Sequence, residues 1–258
     1  MVADNPGTLR WLISCDESGV GGAAYYGFGS LWMSWQRRGD FAREFRLLTE
    51  RHGYEYECKW NKCHNRSHLE FFLDVVDFFF DRPWLAFHCL IVRKGMVDKS
   101  LHGGDFDLAR RKHFAMLLTS KIRQVMRNRP NREHTFRIWV DPIASRYAKA
   151  DEAVEVISNN VLGQVFGGVR PVDKVITHDS KDTPSIQCDL LLGAVMDAWQ
   201  QKSQSETKTI IQQRIASRLS WSDLRADTFP GEKKFNIWYF FDPTLGPREV
   251  ETRSIHLK

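Results

Sequence analysis

The chain has 258 residues, 42% hydrophobic and 27% charged with a formal net charge of +5, and this composition excludes a disordered protein. No apolar run reaches the roughly 20 residues of a membrane helix, and residues 1–6 have neither a basic start nor an apolar core, so we expect neither membrane association nor a secretory signal. The five cysteines are odd in number and scattered, which favours reduced thiols and a cytoplasmic location.

Near the N-terminus, an apolar run leads directly into acids. Residues 11–13 favour a β-strand, and Asp16-Glu17-Ser18-Gly19 follows shortly after. Glycines in this turn allow the chain to reverse into a second apolar run at 23–35. We therefore predict a hairpin whose first strand presents an acid at its end, a usual position for a metal ligand. An ordinary acidic turn is the alternative, because Asp, Ser and Gly are common turn residues.

Helical and extended patterns alternate along the rest of the chain. Helices are predicted over 37–52, 67–81, 106–128, 148–164, 185–200 and 210–224, and extended segments over 54–60, 84–92, 135–140, 171–177 and 235–241. Ser67 and Glu70 have the spacing of a capping box, and Thr183 before Pro184 predicts a helix start. The alternation predicts one α/β domain over 1–258, with a helical addition at 201–224 and a closing strand at 235–241.

The positive charge is concentrated in one segment. Between Arg110 and Arg137 the only acid is Glu133, and the intervening basic residues are Arg111, Lys112, Lys121, Arg123, Arg127, Arg129 and Arg132. A basic helical face of this kind would follow a phosphate backbone. The alternative is a solvated helix surface without a partner.

Four acids occupy similar positions in the predicted elements. Asp16 and Asp141 end strands, Glu57 lies on a short extended segment, and Asp189 stands in the first turns of a helix. Gly193, one turn after Asp189, keeps that helix face small. Carboxylates from several elements suit a hard cation such as Mg²⁺. Two such ions can activate water and stabilise the leaving oxygen in phosphodiester cleavage. Each acid also has an ordinary explanation as a turn or surface residue.

Other kinds of site fit the sequence less well. Cys58 and Cys63 with His64 and His68 could bind zinc, but their spacing fits no standard finger. A phosphate-binding hairpin of the sugar-kinase and actin type needs a second lobe, and the chain shows one acidic hairpin. A haloacid-dehalogenase-type phosphatase would need Asp-x-Asp, whereas Glu17 and Ser18 follow Asp16, and no P-loop sequence occurs.

Several motifs together resemble one family. They are Asp16-Glu17-Ser18-Gly19, Glu57-Cys58-Lys59-Trp60, the strand ending in Asp141, and the run from Ser185 to Leu191 followed by Gly193-Ala194. This set resembles a bacterial family of uncharacterised proteins with a ribonuclease-H-like fold, marked by DESG, E-x-K-W and S-x-Q-x-A-D-L-L-x-G. The resemblance covers about residues 11–199. Cys188 departs from the pattern, because the family usually has alanine there.

The resemblance implies a ribonuclease-H-like mixed sheet flanked by helices, and a nuclease that uses Mg²⁺ or Mn²⁺ to hydrolyse nucleic acid. Asp16 would be the central ligand, and Glu57, Asp141 and Asp189 would complete the metal site. Lys59 and Lys181 would contact phosphate, and Ser18 would donate a hydrogen bond. We expect Glu17 to point away from the metal, because side chains alternate along a strand.

The sequence predicts the partners of this protein less specifically than it predicts the carboxylate site. A protein with the same fold that binds nucleic acid or another partner without cleaving it is the alternative function, and its binding would be salt-dependent and metal-independent. The sequence does not choose between DNA and RNA. The closing strand or the helix at 210–224 would pair two copies in a homodimer, or would be buried within a single copy.

Overall fold

A mixed six-stranded β-sheet forms the centre of the protein in a computed structural model. The structure describes residues 7–19, 21–141, 150–178, 185–201 and 204–258. The sheet consists of β1 (Thr8–Ser18), β2 (Tyr25–Ser34), β3 (Ala86–Arg93), β4 (Glu133–Val140), β5 (Val172–Thr177) and β7 (Phe235–Phe240). The short strands β6 (Asp227–Thr228) and β8 (Thr252–Arg253) pair separately. The helices are α1 (Arg38–Arg51), α2 (Leu69–Phe80), α3 (Phe106–Asn128), α4 (Ala150–Val165), α5 (Ser185–Gln200) and α6 (Glu206–Arg218).

The strand order in the sheet is β5-β4-β1-β2-β3-β7. β2 runs antiparallel to both of its neighbours, and the pairs β1–β4, β4–β5 and β3–β7 are parallel. Every strand of this sheet except β2 therefore ends at the same edge, which we call the carboxyl edge. Crevices at the carboxyl ends of parallel strands are the usual ligand sites of α/β sheets.

The two faces of the sheet carry separate apolar cores because side chains alternate along each strand. On one face, Leu12 and Leu31 pack with buried residues of α1, α2, α5 and α6. On the other face, Ile13 and Phe136 pack with α3 and α4. This arrangement agrees with the predicted α/β class, and it separates the acids of β1 onto two different faces.

The predicted bounds of α3 and α5 agree with the structure. Asp105 begins α3 by accepting hydrogen bonds from the N–H groups of Asp107 and Leu108. Helix α6 begins at Glu206, before the predicted start, because the Ser205 hydroxyl accepts a hydrogen bond from the N–H of Lys208. The predicted start at Thr183 and Pro184 lies outside the described residues.

Two local predictions were wrong. Ser67 does not cap α2, because a 3₁₀ helix over Arg66–His68 precedes it and the Asn65 side chain accepts the N–H of Ser67. The segment at 54–60 is not a strand, and it connects α1 to a 3₁₀ helix that begins at Trp60. Asn and Ser compete at turns through local side-chain hydrogen bonds, which a capping pattern alone does not resolve.

The expectations of reduced thiols and of no membrane helix can be compared with the structure. All five cysteines are buried and free. In the ranges that the structure covers, no helix combines the length and the hydrophobicity needed to cross a bilayer. Cys58 and Cys63 lie in the core, whereas His64 is exposed and its ring bonds to the carbonyl of Asn61, so these residues do not converge on one zinc position.

Candidate carboxylate site

Asp16 and Asp141 lie side by side at the carboxyl edge. β1 and β4 are parallel in a register that pairs Cys15 with Val140. The pairing continues for one more bond, in which the N–H of Asp141 donates to the carbonyl of Cys15 at 3.2 Å. Both aspartates also line one small pocket. Two strands that are distant in sequence thus bring two carboxylates together, as the sequence predicts.

Asp189 reaches this edge because α5 packs unusually close to β2. Gly29 pairs with Asp16, and a Cβ atom at Gly29 would lie 3.1 Å from both Cys188 Sγ and Leu192 Cβ. A Cβ at Gly27 would lie 2.6 Å from the sulfur of Met196. The absence of these two side chains lets the backbones approach, and it holds the first turns of α5 at the level of Asp16.

The segment around Glu57 is bound to α5 by backbone contacts. The N–H of Trp60 donates to Asp189 Oδ1 at 2.9 Å. A Cβ at Gly193 would lie 2.3 Å from Cβ and Cγ of Trp60, so this close packing requires glycine. The Lys59 ammonium contacts the Glu57 carboxylate at 2.9 Å. Glu57 and Lys59 are therefore held beside Asp189.

The electrostatics of these side chains show that they share one region. Burial and then the charge of Asp189 raise the pKa of Asp16 well above its usual value, and Asp141 adds to the effect. Burial raises the pKa of Asp189 to about 6, and Asp141 and Glu57 contribute, against the Trp60 hydrogen bond and Lys59. The hydrogen bond with Glu57 raises the pKa of Lys59, and Asp141 and Asp189 reinforce the shift. Like charges thus repel one another across four chain segments.

The donor set fits a hard divalent cation by its chemistry, but it does not form a closed cage. All four candidate ligands are carboxylates, and their mutual repulsion is what a cation would relieve. Within the part of the chain that the structure describes, no three His, Cys, Asp or Glu side chains stand close enough to hold a metal as they are. Mg²⁺ commonly uses one or two carboxylates, with waters and substrate phosphates as its other ligands.

No protein-family model matches this sequence, and the search of curated proteins finds no match for it. The function of the chain must therefore be inferred from the residues of the carboxylate site and their surroundings. The family resemblance of the motifs stays a prediction.

Glu17 lies on the opposite face of β1 from Asp16, as the strand alternation predicts. Its carboxylate pairs with the guanidinium of Arg110 on α3. The Arg110 side chain is only 7% exposed and also faces Asp107 at 3.9 Å. Arg110 was predicted to contact nucleic acid as part of a basic face, and this was wrong for a surface contact, because the residue is buried and neutralised behind the sheet.

The other predicted nucleic-acid contacts are dispersed. Arg123 is half-buried and donates to the carbonyl of Thr119, Arg111 is half-buried, and Arg127 is exposed. Arg127 lies about 25 Å from Arg110 along the axis of α3, given the usual rise per residue. Ser18 lies two residues after Asp16 at the end of β1. Lys181 lies outside the described residues.

A surface that the sequence did not reveal lies beside the carboxylates. We call it the aromatic–arginine surface, and it consists of Trp35, Arg38, Arg137, Trp139 and His178. Trp35 and Trp139 pack edge to face, and the Trp139 and His178 rings stack at 4.6 Å. The guanidinium of Arg38 lies 4.1 Å from the Trp35 ring centroid. The only sign of it in the sequence is that Trp139 precedes Asp141 by two residues, which places both side chains on the same face of β4.

Replacing Asp189 with asparagine should stabilise the metal-free protein. Folding raises the pKa of Asp189 from 3.8 to about 6, so the ionised carboxylate lowers the free energy of unfolding above pH 6. This loss of stability disappears as the pH falls from 6 to 4, because the carboxyl group is then protonated in the folded protein. Asp189→Asn keeps an acceptor for Trp60, so it should raise the free energy of unfolding by about 2 kcal/mol at pH 7.

Urea unfolding in EDTA at pH 7 and pH 4 measures this effect. The advantage of Asp189→Asn should be largest at pH 7 and nearly absent at pH 4. The matched control is Asp81→Asn, whose side chain is 58% exposed and paired with Arg218, and its effect should stay within about 0.5 kcal/mol. A less stable Asp189→Asn protein at pH 7 would contradict the crowding of the carboxylates.

Proposed function

We propose that this protein is a nuclease that uses Mg²⁺ or Mn²⁺ and hydrolyses phosphodiester bonds at the carboxyl edge of a ribonuclease-H-like sheet. The observation that carries the proposal is the convergence of Asp16, Glu57, Asp141 and Asp189 from four separate segments. The raised pKa values of Asp16 and Asp189, to which neighbouring carboxylates contribute, and the Trp60–Asp189 hydrogen bond support a common site.

The sheet topology supports the proposed fold type. Strands β1, β2 and β3 form an antiparallel meander, and β4 and β5 extend it beside β1 in parallel. The acids of β1 and β4 therefore meet at the carboxyl ends of two interior strands of the sheet, and not on its outermost strands. The proposed nuclease needs the two acids in adjacent strands that lie under helix α5, because α5 can then bring the Asp189 carboxylate next to them.

The chain's own residues have separate roles in this proposal. Asp16 and Asp141 would bind the cation from the sheet, and Asp189 and Glu57 would complete its environment. When bound, the metal would lower the pKa of a coordinated water and stabilise negative charge on phosphate oxygens. Lys59, 30% exposed and held by Glu57, would neutralise a phosphate oxygen at the rim. The Trp60 N–H keeps Asp189 oriented toward the site.

The aromatic–arginine surface supports nucleic acid as the substrate. Indole and imidazole rings provide stacking surfaces for bases, and Arg38 provides charge for the backbone. The surface is continuous with the site, since the N–H of His178 donates to the carbonyl of Val140, the residue before Asp141, at 2.9 Å. This combination also favours a second candidate function, a protein that binds nucleic acid there without cleaving it.

Calorimetric titration with Mn²⁺ separates the two functions. The wild type should bind the ion, and Asp16→Ala should not, because it removes a carboxylate from the centre of the cluster. Asp81→Asn should bind Mn²⁺ as the wild type does, since that carboxylate lies at the end of α2. Salt-sensitive binding of single-stranded oligonucleotides without any heat from Mn²⁺ would instead identify the non-catalytic protein.

The proposed compartment is the cytoplasm. Five buried free thiols suit a reducing environment, in which disulfides do not form.

A further inference from the structure

A second pocket lies at the edge of the sheet opposite the carboxylates. Its volume is about 630 Å³, within the usual range for small-molecule sites. Trp11, Trp32 and His88 contribute from β1, β2 and β3, and Gln124 and Val125 contribute from the C-terminal half of α3. The position near the starts of β1 and β3 separates this pocket from the proposed nuclease site.

A buried ammonium group lines the pocket. The Lys121 residue is only 4% exposed, and its Nζ donates to the carbonyl of Pro230 at 3.1 Å. In the described chain Lys121 has no ion pair with a carboxylate, although Glu232 is close enough to influence it. Burial lowers the pKa of Lys121 to about 8, so the group is still mostly charged at neutral pH. A buried charge with only a carbonyl partner favours binding of an anion.

A buried histidine with an unused hydrogen-bonding atom lines the same pocket. His88 is 6% exposed, and its Nδ1 has no hydrogen-bond partner among the described residues. Burial and then the charge of Lys121 lower the pKa of His88 well below its usual value, so the ring is neutral. The His88 and Trp32 rings pack edge to face, with their centroids 5.7 Å apart. Buried polar atoms are usually satisfied, and an unsatisfied one on a residue that lines a pocket indicates a missing partner.

The remaining lining residues define the kind of ligand. Lys233 and Arg129 add positive charge, whereas Lys234 is occupied by the carbonyls of Phe79, Arg82 and Leu85. The described lining contains no Asp or Glu. Trp11, Trp32 and Trp84 provide indole surfaces for a planar ring. The pocket therefore combines an anion site, a neutral hydrogen-bonding ring and aromatic walls.

We propose that this pocket binds a nucleotide unit, with the phosphate at Lys121, the base against the indoles and a polar atom of the nucleoside at His88. The unit is either a free mononucleotide or the terminal nucleotide of a strand. A free mononucleotide and a 5′-phosphorylated strand end present the same chemistry to the pocket, namely one planar base and one terminal phosphate with a charge of about −2.

Calorimetry with AMP, UMP, adenosine, inorganic phosphate and a 5′-phosphorylated tetranucleotide tests the proposal. A mononucleotide or the tetranucleotide should bind more tightly than adenosine and phosphate. Lys121→Met should weaken nucleotide binding at least tenfold and leave adenosine binding unchanged. His88→Leu should weaken adenosine and nucleotides together. Tighter binding of the tetranucleotide would identify a strand end as the source, and tighter binding of AMP or UMP would identify the free nucleotide.

The matched control is Arg46→Met on α1, which changes an exposed arginine outside the pocket and should leave every affinity unchanged. Lys121→Met should fold, because it removes a buried charge, and near-UV circular dichroism checks this. Lys121→Arg keeps the charge and should retain at least part of the affinity. The proposal is overturned if no nucleotide binds at millimolar concentration, if Lys121→Met binds AMP as the wild type does, or if phosphate alone binds as tightly as AMP.

Discussion

Replacement of Asp16 by alanine should reduce Mg²⁺- or Mn²⁺-dependent cleavage of nucleic acid by about 10³-fold or more. Asp16 is next to Asp141 in the sheet and is influenced by the charge of Asp189 on α5, so its removal affects both of these acids. Asp189→Asn should abolish cleavage as well, because asparagine supplies one weak neutral oxygen instead of a carboxylate. The rates are measured on labelled single-stranded and double-stranded substrates with each metal.

The stability of the variants distinguishes a catalytic loss from unfolding. Asp189→Asn is expected to be more stable than the wild type in EDTA, so its loss of cleavage cannot be explained by a disrupted fold. Asp81→Asn removes an exposed carboxylate elsewhere and should retain full activity. Full activity in either Asp16→Ala or Asp189→Asn would show that the carboxylates are not the catalytic site.

Replacement of Gly193 by alanine should destabilise the protein by about 3 kcal/mol, at the upper end of the cost of overpacking. The added Cβ would lie 2.3 Å from Cβ and Cγ of Trp60. The position of Cβ is set by the backbone, so Trp60 cannot relieve this clash by a change of rotamer. The segment at 57–60 would have to move away from α5, and the Trp60–Asp189 hydrogen bond would lengthen or break.

The control is the same substitution in a helix with free space. Gly39 lies in the first turn of α1, and a Cβ there would contact nothing within 4 Å. Gly39→Ala should therefore stabilise the protein by about 0.5 kcal/mol through its effect on the unfolded chain. Urea unfolding measures both variants. If Gly193→Ala were as stable as the wild type, the close packing that positions Asp189 would be incorrect.

The sequence predicted those parts of the fold that depend on local patterns. Helix α3 has a long apolar periodicity, and its bounds were predicted correctly. The positions of Asp16 and Asp141 followed from apolar runs that end in acids. Parallel pairing of β1 and β4 then brings the two residues together. The ends of predicted strands thus placed two of the four acids of the carboxylate site correctly.

Features that depend on tertiary contacts could not be predicted in this way. A count of charges along 110–137 does not show that Arg110 and Lys121 are buried. Arg110 pairs with the carboxylate of Glu17, and Lys121 donates to a backbone carbonyl. The aromatic–arginine surface combines Trp35 and Trp139, which are about a hundred residues apart in sequence. Gly193 was predicted to keep one face of α5 small, and that face packs against Trp60, whereas the approach of α5 to Gly29 of β2 depends on tertiary contacts that no local pattern shows.

Gly27 and Gly29 have a consequence for the precision of the carboxylate site. They fix how deeply α5 rests on β2, so the distance between the main chains that carry Asp16 and Asp189 is set by direct contact between packed atoms. Densely packed atoms deform little on warming or in a changed solvent, whereas long side chains exchange rotamers readily. The spacing of these two acids should consequently vary less with conditions than the position of Glu57, which lies on an irregular connection.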